Sequence, residues 1–150
     1  MPTSTFADSQ AFAAERRRAR HPLRVLLVED SPLIRERLIE SIASVTDVDF
    51  VGHAETAADA IEALQRTPCD VVVLDLQLKA GHGFNVLAAL RTRSDRPRVT
   101  VIVLTNFASS EYRDRSMQLG ADYFFDKARD YERVTEVLEE LASRRARNLG

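Results

Sequence analysis

The chain has 150 residues, 45% of them apolar and 29% charged, with a formal net charge of -2. That length suits one domain with a real core, and the single cysteine, Cys69, excludes an internal disulfide framework or a two-cysteine metal site. No apolar run approaches membrane-spanning length, and residues 22–143 hold 21 acidic against 14 basic side chains, a poor nucleic-acid surface.

Residues 1–21 are rich in Ala, Ser and Arg, with Phe6 and Phe12 as the bulky apolar groups. They read as a basic tail, flexible or partly helical from Ser9 to Arg20. Arg16-Arg17 lacks the following hydrophobic stretch of an export signal, so a cytoplasmic protein is expected. Leu23 to Val28 is a short apolar run of the kind a buried strand needs. Ser31-Pro32 then supplies an N-cap with proline at the first helical position, and Ile34, Leu38, Ile42 and Val45 follow at helical spacing. A weaker strand, Asp49 to Ala54, precedes a helical stripe of Ala57, Ala60, Ile61 and Leu64 that Thr67-Pro68 ends.

Val71 to Leu74 is the third strand. Gly81 and Gly83 break the loop after it, and Phe84, Leu87 and Leu90 mark a third helix. Val99 to Leu104 is the fourth strand. Ser109 to Leu119 is a polar helix stopped by Gly120. Asp122 to Phe125 is the fifth strand, and Val134, Val137, Leu138 and Leu141 place a last helix on the core. Residues 144–150 read as a short basic tail. Five strand–helix alternations imply an α/β domain over 22–143 with a doubly wound, five-stranded parallel sheet.

In such a sheet the carboxyl ends of the strands share one rim, where open α/β folds bind ligands. Glu29 and Asp30 follow the first apolar run, Asp75 the third and Thr105 the fourth, while Lys127 stands just past Tyr123–Asp126. Three carboxylates, a hydroxyl and an ammonium are expected to meet there. Oxygen ligands of this kind suit a hard divalent cation such as Mg²⁺, and the hydroxyl and ammonium suit an anion beside it. Lys127 is one of two lysines among 21 basic residues, so a compact point charge stands where the rest of the chain uses arginine. His53 and His82 fall in no acid–base pattern and read as structural or surface residues.

The segments "VLLVEDSPLIRERL", "CDVVVLDLQLKAGHGFNVL", "VIVLTN" and "GADYFFDKA", in that order and spacing, resemble the receiver domain of bacterial two-component response regulators. The resemblance covers about residues 22–143. It implies the flavodoxin-like (βα)₅ receiver fold and transfer of a phosphoryl group from a histidine kinase or phosphotransfer protein to Asp75. It implies that Asp30 ligates Mg²⁺ directly, that Glu29 is its outer or water-mediated partner, and that the Gln77 backbone carbonyl is a further ligand. By the same resemblance Thr105 binds a phosphoryl oxygen, Lys127 pairs with Asp75 and then with the phosphoryl group, and Phe124 is the aromatic switch. Three residues depart from the family pattern: Lys79 and Ala128 where proline is common, and the large apolar Phe107 near the site.

The expectation is a stand-alone receiver, a phosphoacceptor and not an enzyme. Its output would be altered docking to an unknown protein target or phosphorelay, with homodimerisation open and direct DNA binding not expected. A receiver cut from a longer DNA-binding regulator is the alternative. A haloacid-dehalogenase-type phosphatase would need a second acid two residues past its nucleophile, where this chain has Gln77. A dinucleotide-binding fold would need glycines where Glu29-Asp30-Ser31-Pro32 stands.

Overall fold

Short β-branched runs flanked by amphipathic helices can bury both faces only in a layered α/β arrangement. The computed structural model, which describes residues 21–93 and 97–149, has that form. Strands β1 (Leu23–Val28), β2 (Val48–Ala54), β3 (Val71–Leu74), β4 (Thr100–Thr105) and β5 (Tyr123–Asp126) alternate with helices α1 (Pro32–Ala43), α2 (Ala57–Arg66), α3 (Gly83–Arg91), α4 (Ser110–Gln118) and α5 (Arg133–Leu149). The strands form one sheet in the order β2-β1-β3-β4-β5, and every pairing is parallel. The chain moves outward from β1 to β2 and then back across to β3. The reversal opens a crevice outside the carboxyl ends of β1 and β3.

Alternate side chains of each strand feed two cores. Leu26, Val28, Val72, Leu74, Val101 and Val103 face Ala60 and Leu64 of α2 and Val86 and Leu87 of α3. Val25, Leu27, Val71, Val73, Ile102 and Leu104 face Leu38 and Ile42 of α1 and Val134 and Leu138 of α5. The helices start on caps that satisfy their first amide groups. Ser31 Oγ accepts from the Ile34 amide, Thr56 Oγ1 from Asp59 and Ser109 Oγ from Tyr112. Helix α4 is the outlier: Ser116 is its one buried residue, so it has no apolar stripe to hold it down.

Besides one-residue shifts at the ends of β2, β4, β5 and α4, two boundaries differ from the sequence expectation. Gly83, expected in a loop, is the first residue of α3, because His82 caps that helix: its Nδ1 accepts the Phe84 amide, and its own amide donates to Asn85 Oδ1. The final helix runs on through Leu149, so Arg144–Leu149 is helix and not a separate tail. Cations in a last turn complement the helix dipole, and Arg144 reaches back to Glu140. The tail expected at 1–21 lies outside the described residues up to position 20.

Arg145 turns this extension into a tie at the amino rim of the sheet. Its Nε donates to the His21 carbonyl at 2.7 Å, and its guanidinium also meets Asp70 at 3.2 Å. The Asp70 carboxylate accepts the backbone N–H and two guanidinium N–H groups of Arg24 as well. Burial pushes the Asp70 carboxyl up, but these hydrogen bonds outweigh it and hold the group below its ordinary 3.8. A depressed folded pKa contributes stability above 3.8 that is lost as pH falls through the folded value. Asp70→Asn should therefore cost about 1–2 kcal/mol at neutral pH, the range for partly exposed charged hydrogen bonds. It should also flatten the acid limb. Urea unfolding at neutral and acid pH checks this; equal acid slopes for the two proteins would contradict it.

Candidate functional site

Four of the five strands carry the candidate polar residues at their carboxyl ends. Glu29 and Asp30 leave β1, Asp75 leaves β3, Thr105 ends β4, and Lys127 follows β5. The local backbone fixes them. The Glu29 amide donates to the Ala54 carbonyl, Asp75 to Val28, and Lys127 to Thr105, so the ladder pattern continues one step past the strands. Gly83 lets α3 approach Asp75 closely: a Cβ there would stand 2.7 Å from the Asp75 carbonyl oxygen and 2.9 Å from Leu76 Cα.

The polar groups are deeply buried, with Glu29 1%, Asp75 6%, Thr105 0% and Lys127 9% exposed. Lys127 Nζ lies 2.8 Å from Asp75 Oδ2 and 2.5 Å from Glu29 Oε1. One carboxylate oxygen from each of Glu29, Asp30 and Asp75 falls within a common span of 4.8 Å. Asp30 is the most exposed of the three. Glu29 Oε2 accepts the Ser31 amide at 3.0 Å, and Asp75 Oδ1 accepts the Gln77 amide at 3.4 Å. Thr105 Oγ1 accepts the Phe107 amide at 3.2 Å, which leaves its O–H available as a donor.

Electrostatics follow from this packing. Burial pushes the Glu29 carboxyl up, against the hydrogen bonds from Lys127 and the Ser31 amide. Burial also works against the Lys127 ammonium, but hydrogen bonds from it to Asp75 and Glu29 win and hold its pKa above the ordinary value. The crevice thus holds one firmly protonated cation among three carboxylates. That excess of oxygen ligands and negative charge is what a hard divalent cation requires.

The sequence-predicted residues divide cleanly. Glu29, Asp30, Asp75 and Lys127 meet in the crevice, and Thr105 ends the next strand, its carbonyl accepting the Lys127 amide. Gln77 is exposed, with its backbone at the crevice edge in a bridge to His82. Phe124 does not line the crevice. It is buried in the apolar cluster against which Tyr112 of α4 packs. His82 is structural: besides capping α3, its ring lies 4.4 Å from that of Phe84. Among the departures from pattern, all peptide bonds of the described residues are trans, Lys127-Ala128 included. Phe107 is 48% exposed at the crevice edge, its ring 6.3 Å from Tyr112. Lys79 donates its amide to the Glu55 carbonyl at 3.2 Å, a bond that proline could not make.

Sequence reasoning missed Arg35 and Glu55. Arg35 Nη1 donates to the Glu29 carbonyl at 3.3 Å and to Glu55 Oε1 at 2.8 Å. In the sequence one looks like a helix surface charge and the other like a loop acid.

A family model described as the response regulator receiver domain matches residues 25–139. The chain belongs to this family. Phosphorylation and Mg²⁺ dependence are general features of such receivers, which bind divalent cations at an acidic pocket. The chain is 34% identical over 125 residues to a protein-glutamate methylesterase/protein-glutamine glutaminase of Myxococcus xanthus, covering 82% of this receiver and 36% of that protein. It is 28% identical over 117 residues to the sensory transduction protein LytT of Bacillus anthracis, covering 78% of this receiver and 46% of LytT. The receiver therefore spans half or less of the length of these two relatives. Among solved structures, the Mn²⁺-bound form of the response regulator Rcp1 superposes with a TM-score of 0.67 at 25% identity, covering 81% of this chain and 93% of that one. No helix among the described residues is long and apolar enough to cross a membrane.

Proposed function

We propose that this receiver accepts a phosphoryl group on Asp75 from a phosphohistidine donor, with Mg²⁺ bound by Asp30, Asp75 and the Gln77 carbonyl and with Glu29 as its outer partner. The observation that carries the reading is that three carboxylates lie within 4.8 Å of one another and the Lys127 ammonium bridges two of them, in a receiver fold whose strand β4 ends in Thr105. A bound Mg²⁺ would offset the repulsion between these carboxylates and an incoming phosphate and help align the donor.

The chain's own residues supply the rest. Phosphoryl transfer spreads charge over three oxygens, so catalysis is mostly positioning and electrostatic stabilisation. Asp75 offers the carboxylate nucleophile, and the Lys127 ammonium beside it neutralises charge that builds on the phosphoryl oxygens. The Thr105 O–H, whose oxygen is already held by the Phe107 amide, can donate to one of those oxygens. Moving Thr105 toward the phosphoryl group would alter the space around Phe124, because the two lie on paired neighbouring strands. The cluster that holds Phe124 also supports Tyr112, which makes α4 the responding element.

Incubation with acetyl phosphate and Mg²⁺ followed by mass mapping tests the reading. A single adduct on the Asp75 peptide is expected, lost under EDTA. Label that forms equally with EDTA, or that maps elsewhere, contradicts it.

The output is proposed to be docking to another protein or onward phosphotransfer in the cytoplasm. The limited share of the relatives' length that the chain covers favours a second version, in which this receiver controls an attached effector domain. Comparing full-length and receiver-only proteins for phosphorylation-dependent partner binding separates the two.

A further inference from the structure

We propose that Arg35, Glu55 and Lys79 form a positioning clip that sets the spacing between the Glu29–Asp30 loop and the loop after Asp75, so that divalent-cation affinity depends on three residues that supply none of the proposed ligands. The inference rests on the metal reading above. The clip has two ends and one hub. At one end the Arg35 guanidinium, mostly buried, donates to the Glu29 carbonyl at 3.3 Å and to Glu55 Oε1 at 2.8 Å. At the other end the Lys79 amide donates to the Glu55 carbonyl at 3.2 Å, and its ammonium lies 3.9 Å from Glu55 Oε2. Glu55 thus joins both loops through its side chain and its backbone.

Two further contacts stiffen the same junction. The Ala57 amide donates to the Ala80 carbonyl at 3.0 Å. Gly81, at φ +78°, packs so closely that a Cβ would stand 2.6 Å from Ala57 Cβ. The Glu29 carbonyl belongs to the planar peptide unit it shares with Asp30. Holding that oxygen therefore fixes the direction in which Asp30 leaves β1. The Lys79 end acts on the loop that carries Gln77. Partners that orient ligands commonly alter metal affinity by about 10–100-fold when removed.

The sign of the effect separates the clip from simple charge. Arg35 is a cation against the backbone of the Glu29–Asp30 loop, so on Coulomb's law alone its loss should tighten binding of a divalent cation there. The clip requires the opposite. With the full chain and Mn²⁺ as the probe, followed by the resonance of the free ion, Arg35→Met should weaken binding about tenfold, with thermal melts in EDTA reporting its fold. Glu55→Gln should also weaken binding, more than Glu62→Gln, which removes an equal charge from an exposed pair on α2. The double variant Arg35→Met/Glu55→Gln should bind little worse than the weaker single variant, because both cut one contact. Unchanged or tighter binding by a folded Arg35→Met protein, or equal affinities for Glu55→Gln and Glu62→Gln, would overturn the clip and leave the metal reading standing. Should Arg35→Met fail to fold, the comparison of Glu55→Gln with Glu62→Gln still decides. Failure of the wild-type chain to bind Mn²⁺ would overturn both.

Discussion

Asp75→Asn is expected to reduce phosphoryl labelling to background while the protein stays folded. The amide is nearly the same size as the carboxylate, and its oxygen can still accept the hydrogen bond that Lys127 now gives to Asp75 Oδ2. It has no anionic oxygen to attack phosphorus. Divalent binding should weaken without vanishing, because Glu29 and Asp30 remain in the group of three. Mass analysis after exposure to acetyl phosphate and Mg²⁺, with a parallel titration by Mn²⁺, gives both readings. Label persisting on the variant would show that the acceptor lies elsewhere.

Lys127→Met should have the second largest effect, and on a different quantity. The wild-type ammonium touches both Glu29 and Asp75 inside the protein. Taking one partner from a buried ion pair costs about 3–5 kcal/mol because the remaining charge is left uncompensated. Here two carboxylates lose the same partner, so the metal-free variant should melt well below the wild type. Burial already pushes the Glu29 carboxyl up from 4.5, and loss of Lys127 removes a group that holds it down. A carboxyl whose pKa is raised on folding binds protons more tightly in the folded state, so its contribution to stability is lost as pH rises through the folded value. The variant should accordingly recover stability as pH is lowered toward 4.5. It should also gain more from added Mg²⁺ than the wild type does. Melting curves across pH, with and without Mg²⁺, provide the check; a variant that melts like the wild type throughout would show that Lys127 does not hold the two carboxylates.

Much of the fold was legible because buried parallel strands need unbroken apolar runs. Val25–Val28, Val71–Leu74 and Val101–Leu104 are such runs; Glu29, Asp75 and Thr105 stand directly at their ends, and Asp30 is one residue further. Two local features were not legible. Gly83 reads as a loop breaker, yet the histidine before it caps a helix, a task usually given to Ser, Thr, Asp or Asn. Arg144–Leu149 has no apolar stripe of its own, so nothing in its composition sets it apart from a solvated tail. What fastens it is long-range: Arg145 meets His21 and Asp70, partners 124 and 75 residues away. The crevice shows the same limit. Its charged groups could be read from strand ends, but the contact of Arg35 with Glu55, 20 residues apart, depends on how the β2–α2 connection folds over α1.

Helix α5 runs from the carboxyl rim of the sheet, where it follows β5, to the amino rim, where Arg145 meets His21 and Asp70. Its 17 residues, at about 1.5 Å each, make a rod roughly 25 Å long. The segment leading into it begins at Lys127, and Arg145 near its far end grips both the approach to β1 and the approach to β3. A stiff rod packed at its middle can act as a lever. A small shift of the lysine toward a phosphoryl group would tilt it about the packed Val134–Leu138 stretch and reappear at the opposite rim. There the ties of Arg145 to His21 and Asp70 would feel it without any rearrangement of the sheet.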